Sequence, residues 1–528
     1  MIIHKESKSL LLKVRPEPLA AIRQIFPDHS KLIDYEGHNI ALPHTLKVVK
    51  ILRNMGIKAP SPIRYYYDWP RPARFQTVFN HQYATADFLT LHNRCFVLNT
   101  MGTAKSASCL WAVDYLMRQK IVKRCIIVAP LSTLEMVWLN EIFDVCMHRS
   151  ALVLHANADK RKELLAREVD FYIINHDGLK ILGKEIAARK DINLMIIDEV
   201  AAYRNAETDR YKTLVKTVSD KMLWGLSGTP CPNAPTDAWA LARLVDPSRV
   251  PAYFTQFKRK TMNQISQYKW VPKPGSNIEA FNALQPAIRF KKSDCLDLPS
   301  MTFESRQCTL SPEQEKAYKQ MKNHLVAEAA TQQISAVNAA DKIGKLRQIL
   351  CGAVKNTDSG DYVILPHAPR LKVLLEAIEE AEAKVLIIVP FKGILQALRD
   401  EVMEYHTKNG DGKYCEVING DVSIGERNRI FQAFRDDPNL NELICHPKVM
   451  AHGLNLTQAD MLIFYAPIYS NEESEQVMER LARPGQTRKM TCIRISSGAL
   501  ETAIYNMVAD KQSSQESILN LYKKELQL

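Results

Sequence analysis

The sequence predicts an α/β protein with two doubly wound parallel-sheet domains, helical protrusions between them and a small α+β N-terminal domain. Short continuous apolar runs alternate with helical patterns from about residue 75 to 250, and the same alternation returns near residue 370. Each run in the first region ends in a turn of polar or small residues. Continuous apolar runs are typical of strands buried on both faces, as in a parallel sheet covered by helices. Functional side chains of such sheets lie where the strands end.

Length and composition limit the class of protein. A chain of 528 residues is too long for one core, and its 46% hydrophobic and 24% charged residues exclude disordered and fibrous classes. The net charge of +12 and the pI near 9.0 favour a polyanionic partner. The eleven cysteines form no C-x-x-C pair, so we expect no zinc site, no disulfides and a reducing compartment. No stretch resembles a signal peptide or a membrane span, which favours an intracellular protein.

Residues 1–70 are predicted to form the small α+β domain and its connector. The pattern indicates a strand at SLLLKV, a helix at EPLAAIRQIF, a strand or hairpin around DYEGHNIAL and a helix at HTLKVVKILRNM that Gly56 ends. The connector KAPSPIRYYYDWPRPARF alternates arginines with aromatic rings. Such a mixture can bind nucleic acid by stacking and phosphate contacts, although a linker packed against the next domain is the favoured interpretation.

Residues 71–250 are predicted to form the first α/β domain. Its predicted strands are CFVLN, RCIIVAP, FYIIN, NLMIIDE and MLWGLSG. The turns that follow them are NTMGTAKS, APLST, NHDGL, DEVAAYRN and SGTPCPN.

The run Phe96–Leu116 changes from a strand pattern to a helix pattern through a turn of small residues. Such a junction points backbone N–H groups and the positive end of a helix dipole at one place, which favours phosphate binding. Lys105 would bind the β- and γ-phosphates and Ser106 would ligate Mg²⁺, as in G-x-x-x-x-G-K-[ST]. Because Asn99 and Ala104 replace the two glycines, a buried turn with a surface lysine is an equal alternative on this stretch alone. The turn residues predicted to bind the nucleotide are Met101, Gly102, Thr103 and Ala104.

Two acids, Asp198 and Glu199, end the apolar run NLMIIDE. A strand that delivers two carboxylates to the sheet edge can supply a metal ligand and a base for an attacking water, both of which phosphoryl hydrolysis needs. A pair of solvated acids at a strand end is the alternative. A phosphate loop in the same sheet favours catalysis.

Residues 251–364 are polar, helical and basic in patches such as FKRK and RFKK, which predicts helical protrusions between the two domains. A charge run of this kind is usually a solvated face, so DNA contact there is the less favoured interpretation. The α/β alternation resumes in residues 365–515, the second domain, which has no phosphate loop of its own. Residues 516–528 are predicted to form a C-terminal helix.

One helix of the second domain carries Gln476, Arg480 and Arg483 at spacings of four and three, which predicts that they share a face. Two arginines on one face need a polyanion or carboxylates as partners. If that face meets the Lys105 loop, the arginines can act as fingers on a γ-phosphate. The pattern Q-x-x-x-R-x-x-R is weak by itself.

Taken together, these motifs resemble the motif set of superfamily 2 helicases, and most of all its Swi/Snf-type branch. The likeness covers about residues 75–510, and its motifs are MGTAKS, IIVAPLSTLEMVW, IIDEVAAYRN, GLSGTPCPN, LIIVPF, ING followed by ER, AHGLNL and QVMERLARPGQ. The resemblance implies two RecA-like lobes that hydrolyse ATP with Mg²⁺ and move along DNA. Compact members occur in bacteriophage genomes, and residues 1–70 are similar to their N-terminal substrate-recognition domain.

The resemblance also implies a role for individual residues. In the catalytic centre, Lys105 would hold phosphate, Ser106 and Asp198 would hold the Mg²⁺, and Glu199 would position and deprotonate the attacking water. Arg480 and Arg483 would be the fingers, with Gln476 at the phosphate. Elsewhere, Gln82 would read the adenine, Ser132 and Thr133 would contact the DNA backbone, Ser227 and Thr229 would couple the nucleotide state to the DNA grip, and Gly453, Leu454 and Asn455 would contact DNA and the cleft.

Three departures from the family pattern concern the nucleotide site. Ala104 replaces a glycine of the phosphate loop, and we expect a right-handed φ there that accommodates the methyl group. Ala201 stands where the DEAH box has histidine, and Asn99 with Thr100 replaces an acidic pair. Since none of these changes removes Lys105 or the acids, we predict an active ATPase.

The predicted function is that of a monomeric, ATP-dependent DNA translocase of a phage, acting inside the host cell. It would remodel duplex, forked or branched DNA without sequence preference, by fork regression, branch migration, annealing or limited unwinding, in replication and recombination. An RNA helicase of the same superfamily is less favoured because of the long insert and the GQ ending. A DNA-binding adaptor with an inactive nucleotide site is the third possibility, based on the substituted phosphate loop.

Overall fold

The computed structural model describes residues 1–72, 77–100, 102–231, 234–266, 270–291, 295, 299–331, 336–355, 361–450, 456–483 and 486–510. The chain divides into two compact units, Met1–Cys295 and Leu296–Leu528. The predicted C-terminal helix, 516–528, lies outside the described residues. No helix within these described ranges has the length and hydropathy that crossing a membrane requires.

The N-terminal domain is a four-stranded antiparallel sheet with two helices. Its elements are β1 (Ile2–His4), β2 (Ser9–Leu12), α1 (Pro16–Ile25), β3 (Lys31–Tyr35), β4 (His38–Pro43) and α2 (Leu46–Asn54), with the strands in the order β1-β2-β4-β3. The predicted strand, helix, hairpin and helix are therefore confirmed. Thr45 caps α2 by accepting a hydrogen bond from the Val48 backbone N–H, and Gly56 follows the helix with φ 81°. The core of this domain is continuous with that of the first α/β domain.

The connector packs against the first α/β domain, which confirms the linker interpretation for its described part. The Tyr67 hydroxyl donates to the buried Asp114 carboxylate at 2.7 Å. The Trp69 ring stacks edge-on against Trp111, whose indole donates to the Pro70 carbonyl at 2.7 Å. These contacts bury the aromatic rings at positions 67 and 69 rather than presenting them to solvent.

The first α/β domain is built on a seven-stranded parallel sheet in the order β13-β5-β10-β9-β6-β8-β7. Its elements are α3 (Ile63–Tyr66), α4 (Asn80–Leu91), β5 (Arg94–Val97), α5 (Lys105–Arg118), β6 (Arg124–Ala129), α6 (Asn140–Val145), β7 (Ala151–Val153), α7 (Ala158–Ala166), β8 (Phe171–Asn175), α8 (Gly178–Ala188), β9 (Ile192–Asp198), α9 (Asp209–Thr217), β10 (Met222–Leu226), α10 (Ala238–Val245), α11 (Phe254–Thr261), β11 (Met262–Gln264), β12 (Trp270–Pro272), α12 (Ser276–Ala283) and β13 (Ala287–Ile288).

The five predicted apolar runs are the strands β5, β6, β8, β9 and β10, and they occupy adjacent positions in this sheet. Because all of them are parallel, the turns that follow β5, β6, β9 and β10 meet at one edge. The strand order thus places the candidate site residues, which lie in these turns, at the same edge of the sheet.

The second unit contains a six-stranded parallel sheet in the order β14-β21-β20-β17-β19-β18. Its elements are β14 (Met301–Gln307), α13 (Pro312–Thr331), α14 (Ala336–Cys351), β15 (Ala353–Lys355), β16 (Tyr362–Ile364), α15 (Ala368–Glu379), β17 (Lys384–Ile388), α16 (Lys392–Asn409), β18 (Tyr414–Ile418), α17 (Ile424–Asp436), β19 (Leu440–Cys445), β20 (Ala459–Phe464), α18 (Asn471–Leu481), β21 (Met490–Ser496) and α19 (Ala499–Ala509). The predicted fold class, with two doubly wound parallel sheets, is confirmed.

The segment 251–364 contains strands as well as the predicted helices. The antiparallel pairs β11-β12 and β15-β16 lie within it, β13 joins the edge of the first sheet, and β14 joins the edge of the second. Neither edge strand has a continuous apolar run, because β13 has two residues and β14 is mostly polar and exposed. Their pairing depends on partners far away in the sequence.

A buried histidine in the second unit lies between two carboxylates. His406 on α16 places Nδ1 2.8 Å from Asp411 Oδ2 and Nε2 2.9 Å from Glu442 Oε2, and the Glu442 side chain is fully buried on β19. Burial alone would lower the pKa of His406, but the hydrogen bonds and negative charges of Glu442 and Asp411 outweigh it, so the pKa is raised. The folded state therefore binds the His406 proton more tightly than the unfolded chain does.

We expect this histidine to stabilise the protein more in mildly acidic solution than in alkaline solution. A raised folded-state pKa gives a contribution that is complete below the unfolded value of about 6.5 and is lost as the pH rises through the folded value. The measurement is the free energy of unfolding of wild type and His406→Gln at about pH 6 and about pH 9. The wild type should exceed the variant by more at the lower pH; an equal or larger excess at the higher pH would contradict the assignment.

Candidate functional site

The predicted phosphate loop connects β5 to α5, and α5 begins at Lys105 as expected. The Lys105 ammonium donates to the Asn99 backbone carbonyl at 2.8 Å, and the Thr103 hydroxyl donates to the Thr100 carbonyl at 2.8 Å. Gly102 has φ 77°, which only glycine adopts without cost. Met101 lies outside the described residues. The structure thus has the strand, tight turn and helix N-terminus that a phosphate cradle needs.

Asn99 connects three parts of this region, a role that sequence reasoning missed. Its side-chain amide donates to the Thr85 hydroxyl at 3.0 Å and accepts from the Phe290 backbone N–H at 2.9 Å, while its carbonyl receives Lys105. The side chain is buried. An amide directly after a buried strand was the available signal, since such a group must find partners inside the protein.

His81 is a second residue that sequence reasoning missed. It is buried at the start of α4, and its Nε2 lies 3.1 Å from the Thr103 carbonyl of the phosphate loop. The neighbouring Gln82, predicted to read adenine, is also buried, and its side-chain oxygen accepts a hydrogen bond from the Phe79 backbone N–H at 2.8 Å. Gln82 therefore caps α4, the helix that supports the phosphate loop.

Ala104 departs from the prediction made for it. Its φ is 53° and its ψ 48°, so it is left-handed, and the expectation of a right-handed φ was wrong. The residue that precedes α5 is thus left-handed, and glycine adopts this conformation without a steric cost. For alanine the left-handed region costs about 1–2 kcal/mol.

The change Ala104→Gly is therefore expected to raise the free energy of unfolding by about 1 kcal/mol. It removes the backbone strain of a left-handed alanine, and this gain exceeds the entropic cost of a more flexible unfolded chain. Denaturant titration measures this change. As a control, Ala112→Gly in the buried middle of α5 should lower the stability by about 1 kcal/mol. A loss of stability in both variants would refute the strain at position 104.

The two predicted acids lie at the end of β9, next to the end of β10. The Asp198 carboxylate accepts a hydrogen bond from the Trp138 indole at 2.9 Å. Glu199 has φ 56°, and its Oε1 accepts from the Ser227 hydroxyl at 2.6 Å. Ser227 in turn accepts from the Thr229 backbone N–H at 3.2 Å. The structure therefore brings the predicted base together with both predicted coupling residues.

Lys105 and Asp198 follow strands of the same parallel sheet. Lys105 begins α5 after β5, and Asp198 ends β9, with β10 between the two strands. Burial on α5 raises the pKa of the Cys109 thiol, the negative charge of Asp198 raises it further, and the positive charge of Lys105 lowers it. The candidate lysine and the candidate metal ligand therefore lie at one edge of the sheet.

The donor set of this site suits Mg²⁺. Ser106 and Asp198 offer a hydroxyl and a carboxylate, hard oxygen ligands, and Mg²⁺ usually takes one or two carboxylates together with waters and substrate phosphates. Among the described residues, no group of three or more His, Cys, Asp or Glu side chains is placed to hold a metal ion.

The residues predicted to contact DNA from the first domain lie directly after β6. Leu131–Thr133 form a 3₁₀ turn, in which the Thr133 hydroxyl donates to the Pro130 carbonyl at 2.9 Å. Within the described part of the chain, the buried Ser132 hydroxyl oxygen makes no hydrogen bond to a protein atom. A six-residue π-helical turn, Leu134–Leu139, follows and leads into α6.

The predicted arginine face in the second unit needs correction. Gln476 and Arg480 lie on α18, but that helix ends at Leu481, so Arg483 lies beyond it and the three do not share one helical face. The Q-x-x-x-R-x-x-R spacing suggested a shared face because it assumes a helix that continues to Arg483, whereas α18 ends two residues earlier. The predicted loop residues Gly453, Leu454 and Asn455 lie outside the described residues.

The two arginines differ in their surroundings. Arg480 is 1% exposed and its Nε donates to the Met450 carbonyl at 2.8 Å. Burial lowers the pKa of its guanidinium to about 9, and repulsion by Arg483 acts in the same direction. Arg483 is half-buried, and its Nε donates to the Glu479 carbonyl at 3.1 Å. Arg483 is thus the more accessible of the two.

Comparisons with known proteins agree with these observations. A family model described as SNF2-related domain matches residues 44–354, and one described as Helicase conserved C-terminal domain matches residues 369–485. An uncharacterized ATP-dependent helicase of Mycoplasma genitalium is 24% identical over 423 residues, which are 78% of this chain and 39% of that protein. An ATP-dependent DNA helicase of Arabidopsis thaliana is 22% identical over 455 residues, 79% of this chain and 58% of that protein. The chain thus spans less than two thirds of either helicase.

A phage protein and a solved ATPase core are also similar to this chain. A protein of Acyrthosiphon pisum secondary endosymbiont phage 1 is 21% identical over 449 residues, 80% of this chain and 94% of that protein. The SWI2/SNF2 ATPase core of Sulfolobus solfataricus, solved in complex with dsDNA, is 19% identical, with 85% of this chain and 94% of that chain covered at a TM-score of 0.39. The SNF2-related match alone covers more than half of the sequence and includes the phosphate loop, both acids and Ser227. The resemblance drawn from the motifs is confirmed, and the chain belongs to the SNF2-related helicase family.

Proposed function

We propose that this chain is an ATP-dependent DNA translocase that remodels duplex or branched DNA. The observation that supports it most is the single edge of the first sheet where a lysine-bearing phosphate loop, Asp198 and a Glu199 held by Ser227 are grouped. The Ser227 hydroxyl holds the carboxylate of Glu199, the proposed base, at 2.6 Å, an arrangement that an inactive nucleotide site does not require. The adaptor hypothesis is therefore disfavoured.

In the proposed reaction the residues of the first sheet bind ATP and activate water. Lys105 binds the phosphates through its ammonium, and the N-terminus of α5 binds them through backbone N–H groups. Ser106 and Asp198 would hold Mg²⁺, which would neutralise phosphate charge. Glu199 accepts the proton of the attacking water, and Ser227 holds the Glu199 carboxylate in place until then.

The second unit would supply the arginine finger. Arg483 is the better candidate, because it is half-buried whereas Arg480 is enclosed and bonded to the Met450 carbonyl. We propose that Arg483 reaches the γ-phosphate and that Arg480 supports the segment that carries it, beside Gln476. Hydrolysis would then alternate the hold of the two lobes on DNA and give a step along one strand.

The proposed substrate is DNA, bound through its backbone at Ser132, Thr133 and the loop of Gly453, Leu454 and Asn455. The net charge of +12 favours a polyanion, and backbone contacts give binding without sequence preference. Thr229 and Ser227 would couple this grip to Glu199. We also propose a role in phage replication and recombination, as a monomer in the host cytoplasm; the match to 94% of a phage protein supports the phage origin alone.

Translocation is tested by displacement of a third strand from a DNA triplex, and remodelling by branch migration of a four-way junction, both with ATP. We expect both activities in wild type and neither in Lys105→Ala. Separation of RNA duplexes without action on DNA would favour the RNA helicase alternative. DNA binding without displacement or hydrolysis would favour the adaptor.

A further inference from the structure

Trp138 is fully buried beside Asp198, the predicted Mg²⁺ ligand, and is not itself one of the predicted site residues. It lies on the π-helical turn Leu134–Leu139, which follows the turn 131–133 after β6. Strand β6 pairs with β9 in parallel, with Val128 opposite Ile197, so the chain leaving β6 passes beside the end of β9. The strand register thus brings a tryptophan next to Asp198.

The contact between these residues is a hydrogen bond of defined direction. The Trp138 Nε1–H donates to Asp198 Oδ2 at 2.9 Å. An indole donates and does not accept, so it holds the negatively charged form of the carboxylate and fixes the orientation of one oxygen. A group that orients a metal ligand in this way determines how well the ligand meets the ion.

Trp138 lies within the π-helical turn and not on a regular α-helix. Such turns are rare and occur frequently at functional sites. The irregular backbone therefore coincides with the contact between Trp138 and Asp198.

We propose that Trp138 is a positioning residue that orients Asp198 for Mg²⁺ and links that orientation to the turn 131–133. The proposal rests on the proposed function, in which this turn contacts the DNA backbone. The turn, the π-helical stretch and α6 are contiguous, and Leu134 and Trp138 anchor the stretch in the core. Because the turn and the stretch are contiguous, a force on the turn from bound DNA would reach Trp138 and, through its hydrogen bond, the Asp198 carboxylate.

The two acids are held by residues that follow the two different strands flanking β9, which makes this link specific. Asp198 is held by Trp138 from the β6 side, and Glu199 is held by Ser227 from the β10 side. Loss of the indole should thus change the Mg²⁺ requirement and leave the holding of Glu199 intact. DNA would act on the metal ligand through the turn 131–133.

The test replaces the indole by a ring without a donor, Trp138→Phe. The matched control is Trp224→Phe, because Trp224 is equally buried in the same domain and donates to the His92 carbonyl at 3.1 Å. A third variant, Trp138→His, retains a ring nitrogen at the position that corresponds to the indole Nε1. It provides rescue, and it carries the test if Trp138→Phe does not fold.

The first readout is binding of a non-hydrolysable ATP analogue during a Mg²⁺ titration. We expect the Mg²⁺ concentration for half-maximal binding to rise about tenfold in Trp138→Phe, to recover in part in Trp138→His and to stay at the wild-type value in Trp224→Phe. The second readout is the factor by which duplex DNA stimulates ATP hydrolysis. This factor should fall in Trp138→Phe and stay at the wild-type value in Trp224→Phe.

Equal Mg²⁺ dependence of analogue binding in the Phe variants at positions 138 and 224 would overturn the positioning role. An unchanged DNA stimulation factor in Trp138→Phe would overturn the link to the turn. If the wild type does not hydrolyse ATP, the proposed function fails, while the analogue-binding arm still decides whether Trp138 orients Asp198.

Discussion

Replacing Lys105 by alanine is expected to reduce DNA-stimulated ATP hydrolysis by about 10²- to 10³-fold, the loss typical of removing one group that stabilises transition-state charge. Lys105 is the first residue of α5, and its ammonium lies at the phosphate loop, where it donates to the Asn99 carbonyl. Alanine keeps the helix but removes the charge that would bind the β- and γ-phosphates. The measurement is steady-state phosphate release at saturating ATP, Mg²⁺ and duplex DNA.

The matched control for this variant is Lys123→Ala, which removes an exposed lysine of the same domain. It should hydrolyse ATP at the wild-type rate. If Lys105→Ala retained more than about a tenth of the wild-type rate, the loop would not be a phosphate site of the expected kind.

Glu199→Gln is expected to reduce hydrolysis by about 10²- to 10⁴-fold and to leave ATP binding unchanged. The amide has the shape of the carboxylate and can still accept the Ser227 hydroxyl hydrogen bond, but it cannot take a proton from water. Turnover and equilibrium binding of a fluorescent ATP analogue, measured on the same preparation, separate these effects.

A second variant, Ser227→Ala, serves as the graded comparison for the base. It removes the 2.6 Å hydrogen bond and leaves the carboxylate, so its turnover should lie between those of wild type and Glu199→Gln. Loss of ATP binding in Glu199→Gln would assign this acid to nucleotide binding. Turnover in Ser227→Ala below that of Glu199→Gln would contradict the supporting role of Ser227.

The two sheets could be predicted from the sequence because their central strands are buried on both faces and must be apolar throughout. The strands that the pattern missed lack this property: β7 has three residues, β13 has two, and β14 is an exposed polar edge. Long-range pairing rather than local composition makes them strands. Single-sequence patterns do not contain that information.

The positions of Lys105, Asp198 and Glu199 after strands of one sheet could be predicted, because short motifs carry these residues. Features that depend on backbone angles or on neighbours in space could not be predicted. The left-handed φ of Ala104 follows from the geometry of the turn, although alanine usually avoids it. The contact between Trp138 and Asp198 depends on the adjacency of β6 and β9, which only the strand order reveals.

We expect this site to hydrolyse ATP in response to DNA. Steady-state ATPase activity should be measured without nucleic acid and with single-stranded DNA, blunt duplex, a fork, a four-way junction and RNA, at one salt concentration. We predict the strongest stimulation by duplex or branched DNA. A rate that no nucleic acid raises above that of Lys105→Ala would contradict the account.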